Sequence, residues 1–176
     1  MILLRHGETE EEKNGIILGR MPGTLSKEGK EQAKKVAKEI EKMDLHPEVI
    51  ITSDVARATD YAAIIGRELN LKVELEPLAR ERNAGAAEGK SQNEIDWEEY
   101  EKAPQLLRAH AGGESFEDVR ARAKKFLEKI RREPFHAAIV ISHSVFLAML
   151  AVEANGWVLD KALGYDFRQN PLVVEL

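Results

Sequence analysis

The chain begins Met1-Ile2-Leu3-Leu4-Arg5-His6-Gly7-Glu8-Thr9. Four apolar residues read as a short buried strand, and that strand delivers an arginine, a histidine and a glycine to its carboxyl end. In open α/β sheets the carboxyl end is where ligands bind. An imidazole beside a permanently charged guanidinium suits attack on a phosphorus whose oxygens the guanidinium already holds. Arg-His-Gly alone is common by chance. The reading therefore depends on what stands at the ends of the other strands.

Outward from this stretch, short β-branched runs alternate with amphipathic helical segments, the pattern of α/β architecture. Ser26 caps a helix running to about Met43, with Ala33, Val36, Ala37 and Ile40 as one apolar stripe. Val49 to Thr52 reads as a buried strand, followed by Ser53-Asp54 and a helix to about Leu69, where Asn70 suits a left-handed cap. Lys72 to Leu75 is a further strand. Residues 78–114 are less regular. Within them Ser91-Gln92-Asn93-Glu94 is a capping box that starts a short acidic helix. Ser115 caps a long helix with Phe116, Val119, Ala123, Phe126 and Ile130 on one face. Ala137 to Ser142 is the strongest candidate for a central strand. A helix to about Asn155 follows it, ended by Gly156, and Leu172 to Leu176 forms the last strand. The expected architecture is a three-layer α/β/α sandwich with a mostly parallel central sheet. A single domain over 1–176 is expected, with a short lid-like segment at about 84–114 over the strand ends.

Composition narrows the function classes. The chain has 176 residues, 43% hydrophobic and 32% charged, which is globular rather than disordered. Its 26 Lys plus Arg against 31 Asp plus Glu leave a net charge of −5, which argues against a nucleic-acid partner. The absence of cysteine removes disulfides, thiol nucleophiles and Cys-ligated zinc. No apolar run approaches the ~18 residues of a membrane span, and the apolar start is too short for a signal peptide. A cytoplasmic location is the expectation. Abundant Glu and Lys, few Gln and no Cys fit a thermophilic source. Oligomeric state is not legible.

Each predicted strand end carries a charged or ionisable group. Arg5-His6 follows the first, and Arg57 stands in the first helical turn after the second. Arg80-Glu81-Arg82-Asn83 follows the third, and Ser142-His143-Ser144 ends the strand at 138–142. In this order and spacing, the chain resembles the histidine phosphatase (phosphoglycerate mutase-like) superfamily over essentially its whole length. Leu25-Ser26 with Gly29 and Gln32-Ala33, Gly85 with Glu88-Gly89, and Gly113-Glu114-Ser115 with Asp118-Val119 and Arg122 complete the match.

The resemblance implies a phosphoglycerate mutase-like fold and a division of roles that phosphoryl-transfer chemistry also requires. His6 would be the nucleophile that forms a phosphohistidine. Arg5, Arg57 and His143 would clamp the equatorial oxygens, where charge spreads in the transition state. Glu81 would be the general acid for the leaving oxygen and then the base for water, with Glu88 as its neighbouring alternative. No metal or other cofactor is needed by such a site. Gly7, Thr9, Asn14, Arg20, Arg82 and Ser144 are the candidate substrate contacts. One departure stands out. The superfamily places a phosphate-binding asparagine three residues after Thr9, and here that position is Glu12, with Asn14 the candidate substitute.

Only 23 residues separate Gly89 from Gly113, with Arg108 their sole arginine. A short lid leaves a phosphohistidine open to water. The expected activity is hydrolysis of a small phosphorylated metabolite, with a cofactor-dependent phosphoglycerate mutase as the alternative. A non-catalytic phosphate-binding interaction domain is the reading from another class, and a nucleophile paired with an acid argues against it. A metal-dependent hydrolase is disfavoured because no His-x-His or clustered Asp pattern occurs. His46 and His136 read as ordinary surface or structural histidines, Trp97 and Tyr100 as packing for the acidic helix, and His110 as a lid residue.

Overall fold

Alternation along the buried strands sends successive side chains into two separate cores. In the computed structural model, which describes residues 1–175, Ile2 and Leu4 enter one core and Leu3 the other. Ile139 and Ile141 are likewise divided from Val140, and Ile50 from Val49 and Ile51. Such strands must be covered on both faces, hence their nearly continuous apolar sequence.

The strands are β1 (Ile2–Arg5), β2 (Val49–Thr52), β3 (Lys72–Leu75), β4 (Ala138–Ser142) and β5 (Leu172–Val173). They form one sheet in the order β3-β2-β4-β1-β5, with β5 alone antiparallel. The strand expected at the carboxyl end is thus only two residues long, and Leu176 lies outside the described residues. Helices α2 (Lys27–Glu41) and α3 (Ala56–Leu69) pack together over one face. Helices α5 (Phe116–Ile130), α6 (Ser144–Asn155) and α7 (Leu159–Leu163) cover the other. The result is the expected three-layer sandwich, with β4 at its centre.

Helix ends fall where their caps are. Ser26 Oγ accepts from Gly29 N at 3.0 Å, and Ser115 forms a capping box with Asp118, arrangements typically worth about 1 kcal/mol each. Asn70 (φ 53°) and Gly156 (φ 63°) end α3 and α6 in the left-handed region. The capping box at Ser91 departs from expectation, because it opens only a 3₁₀ turn at Gln92–Glu94. Ile95 is extended, and the helix restarts as α4 (Trp97–Glu101) under a new cap, where Asp96 accepts from Glu99 N at 3.0 Å. A one-turn helix, α1 (Glu10–Lys13), follows Thr9 and was not signalled by any apolar periodicity.

Topology places the site. The chain leaves β1 and β2 for helices on one face, whereas it leaves β4, which lies between them, for α6 on the other. Adjacent strands that diverge in this way open a crevice at their carboxyl ends. The loop after β1 is fixed at that crevice by two glycines. A Cβ on Gly29 would lie 2.2 Å from Glu8 O, and one on Gly7 would lie 2.5 Å from Gly29 O. Backbone thus packs on backbone, closed by Ser26 N donating to Glu8 O at 2.9 Å. Among the described residues, no helix is long and apolar enough to cross a membrane.

Candidate active site

Strand register brings the two histidines together. Arg5 pairs with Ser142 across β1 and β4, and His6 N donates to Ser142 O at 3.0 Å. The residues one step beyond, His6 and His143, then meet edge to face with ring centroids 5.1 Å apart. Both are buried. Burial first, then the charges of His143, Arg57 and Arg5, holds His6 well below the ordinary histidine value of 6.5. Burial followed by Arg57, Arg5 and Arg122 does the same to His143.

A neutral imidazole has one donor and one acceptor, and the surroundings of His6 assign them. Nδ1 lies 2.7 Å from Gly7 O, an acceptor only, so Nδ1 carries the proton. Nε2 accepts from Arg57 Nε at 3.0 Å, so Nε2 carries the ring's lone pair. For His143, Nε2 lies 2.9 Å from Ser53 Oγ. That hydroxyl already accepts from Val55 N at 3.2 Å, so its proton is free for Nε2. Nδ1 of His143 is buried and has no partner among the described residues.

Arg57 differs from a simple clamp. Its side chain is buried, with Nη2 donating to Gly19 O at 2.8 Å and Nη1 to Met21 O at 2.5 Å. These carbonyls fix the guanidinium with its Nε on His6 Nε2. Arg5 Nε is buried and unpartnered among the described residues, and burial lowers both arginines from the ordinary arginine value. A cation withdrawn from water, with donors left over, is a site built for an anion.

Arg5, His6, Arg57, Glu81 and Arg82 line one cavity of about 410 Å³ at the strand ends. Glu81 reaches it while the arginines on either side are held by other partners. Arg80 forks onto Asp54, with Nε 2.6 Å from Oδ1, and Arg82 donates to Tyr100 Oη at 2.7 Å while stacking on Phe116. Glu81 Oε1 accepts from Arg82 N at 2.7 Å. The strand-like segment that carries it is gripped by Arg122, which donates to Leu78 O and Arg80 O, each at 2.7 Å. Ser142 Oγ holds Ala79 O at 2.6 Å.

The other predicted contacts divide. Thr9 is buried and caps α1, and Gly7 supplies the carbonyl for His6. Arg20 faces away from the cavity, donating from Nε to Glu81 O at 3.2 Å and from Nη2 to Glu114 Oε1 at 2.9 Å. It positions Glu81 rather than meeting a ligand. Asn14 is exposed outside the cavity, its amide donating to Glu10 O at 2.8 Å. The short turn of α1 points Glu12 inward instead. Ser144 begins α6 without lining the cavity, whereas Val145 does line it. Glu88 caps Arg20 N and Ala84 N and stands apart from the cavity.

Glu12 and Arg168 line the cavity although the sequence reading gave neither a site role. Glu12 bridges Arg5 and Arg168, and Arg168 Nε donates to His6 O at 3.1 Å. Arg168 arrives from the turn before β5 and belongs to no motif, so only the folded chain reveals it. Among the described residues, no group of three or more His, Cys, Asp or Glu side chains is placed to hold a metal ion.

A neutral His6 backed by His143, with part-desolvated arginines and Glu81 around an anion-sized cavity, defines a phosphoryl-transfer site on an α/β scaffold. The sequence profile of the histidine phosphatase superfamily (branch 1) matches residues 1–175, and the chain belongs to that superfamily. It is an enzyme of a group whose named relatives are phosphatases and mutases. It is 32% identical to phosphoserine phosphatase 1 of Hydrogenobacter thermophilus over 167 residues, covering 88% of this chain and 78% of the relative. To the probable phosphoglycerate mutase GpmB of Photorhabdus laumondii it is 30% identical over 154 residues, covering 84% and 71%. The solved mycobacterial glucosyl-3-phosphoglycerate phosphatase in complex with VO3 superposes with a TM-score of 0.79 at 25% identity, covering 94% of this chain and 85% of that one.

Proposed function

We propose that this chain hydrolyses a phosphomonoester of a small metabolite through a phosphohistidine on His6, without a metal. The observation that carries the reading is the tautomer of His6. Gly7 O accepts the Nδ1–H, and the Nε2 lone pair is held on Arg57 Nε, a contact it exchanges for phosphorus on attack, in a cavity that Arg5 also lines. In the first step Nε2 attacks phosphorus, and the ester P–O bond breaks with its electron pair leaving on the alcohol oxygen. Glu81 gives that oxygen a proton. The imidazolium so formed keeps its Nδ1–H on Gly7 O. In the second step Glu81 takes a proton from water, the water oxygen attacks phosphorus, and the P–N bond breaks to release inorganic phosphate and neutral His6.

The mutase reading has the similarity to GpmB behind it. The segment at 84–114 weighs the other way. Its start is stitched to the loop at 15–17 by Ile17 N to Lys90 O at 2.9 Å, Gly89 N to Ile17 O at 2.8 Å and Gln92 N to Gly15 O at 3.0 Å. We infer a short lid anchored as a fixed rim, which leaves the phosphohistidine accessible to water.

The test is incubation with 3-phosphoglycerate and a trace of the bisphosphate in a chelator, following free phosphate and 2-phosphoglycerate together. Phosphoserine and glucosyl-3-phosphoglycerate, named for the relatives, join the panel. Phosphate release that survives the chelator and outruns isomerisation is the expected result. Isomerisation outrunning release makes the protein a mutase, and loss of all turnover in the chelator rejects the metal-free mechanism.

A further inference from the structure

Glu12 brings a carboxylate into a cavity whose arginines prepare it for an anion. One carboxylate oxygen accepts from Arg5 Nη2. The other accepts from Arg168 Nη2 at 2.8 Å and from Thr9 N at 3.3 Å. The three ionic side chains are mostly buried, with 23% of Glu12, 26% of Arg5 and 18% of Arg168 exposed. Screening by water is therefore incomplete. Two neighbouring cations are engaged elsewhere. Lys13 is engaged by Glu28 at 2.6 Å and Glu8 at 3.3 Å, and Arg57 is fixed on carbonyls and His6.

An oxyanion bound against His6 Nε2 draws on the guanidinium of Arg5. The Nη2 position of that guanidinium already holds a carboxylate, while its buried Nε is free. An incoming oxyanion must either share Arg5 with Glu12, at the cost of repulsion between like charges, or push the carboxylate back onto Arg168. Arg168 makes the second course possible, because it already holds Oε2 and is itself braced on His6 O.

Resting on the phosphate-site reading above, we propose that Glu12 is an internal competitor for the oxyanion seat, held in place by Arg168. It sets how tightly the site keeps phosphate-like anions. The penalty falls on any anion recognised by charge alone, the product phosphate included. Its function is to speed product departure and to leave substrate selection to the alcohol portion of the ester. Ile16 and Ile17 on the cavity wall are placed to contact that portion.

The experiment compares wild type with Glu12→Gln. The amide keeps the side chain's length and an oxygen for Thr9 N while removing the charge. Calorimetric binding of sulfate, which does not titrate near neutrality, and product inhibition by inorganic phosphate are measured at pH 7. Both are expected to tighten about tenfold or more, the scale of one partly screened charge at close range. Glu12→Asn applies the same test should the glutamine variant fold poorly. Unchanged sulfate and phosphate affinity in a folded neutral variant overturns the inference and leaves the phosphatase reading intact. Absence of any sulfate or phosphate binding in wild type and variants alike overturns both.

Discussion

His6→Ala is expected to lose at least ~10⁴-fold in turnover while continuing to bind oxyanions, because a nucleophile has no substitute in this cavity. Burial keeps the imidazole neutral, and Gly7 O together with Arg57 Nε fixes the tautomer in which Nε2 is unprotonated. Arg5, Arg57 and Arg168 remain after the substitution, so the site keeps its positive charge. The measurement is phosphate release together with capture of labelled phosphoenzyme. Wild type should yield an acid-labile, base-stable phosphoprotein and His6→Ala none. Retention of more than about one part in a hundred of the activity would assign the nucleophile elsewhere.

The same burial has a consequence for stability. At pH 7.5 His6 and His143 are neutral in the folded chain, and histidines of the unfolded chain, near 6.5, are largely neutral too. Below pH 6.5 the unfolded chain takes up protons that the folded site refuses. Stability therefore falls as pH falls, by up to roughly 1.4 kcal/mol per histidine at pH 5.5. Melting temperature should drop more steeply between pH 7.5 and 5.5 in wild type than in His6→Ala. Equal slopes would mean that His6 accepts a proton in the folded state.

How much of this was legible before folding depended on whether the signal was local. The apolar run before Arg5, the capping serines at 26 and 115 and the left-handed Asn70 are decided within a few residues, and each stands where the sequence placed it. The meeting of His6 with His143 was legible because both follow central strands of one parallel sheet. Glu81 looked like part of a solvated run, and it reaches the cavity with Arg80 drawn off by Asp54 and the Arg82 guanidinium tied to Tyr100. Such sorting depends on partners 26 and 18 residues distant. Arg168 was beyond reach, since its bond to the His6 carbonyl spans 162 residues and an isolated arginine before a short edge strand carries no pattern. Asn14 was misjudged because α1 is a single capped turn with no apolar stripe. About half a turn of rotation decides which of Glu12 and Asn14 points inward.

Glu81→Gln should separate the two halves of the reaction. An alkyl ester departs as a strongly basic alkoxide unless a proton is supplied, so its turnover is expected to fall by ~10²–10⁴-fold. A p-nitrophenyl ester departs as a weakly basic phenolate and needs little protonation, so its first step should proceed almost unimpaired. The second step still requires a base to take the proton of water. With the aryl ester the variant should therefore release one equivalent of nitrophenol per active site in a burst and then stall with phosphate held on His6. The main-chain grip of Arg20 and Arg122 on the 78–81 segment does not involve the substituted carboxyl group, so the cavity should keep its shape. Equal losses on both esters, with no burst, would remove Glu81 as the proton carrier. No other cavity glutamate stands ready to take its place without disturbing an ion pair, because Glu8 is committed to Lys13 and Glu12 to the two arginines. A burst on the aryl ester alone would locate both proton transfers on this one carboxyl group.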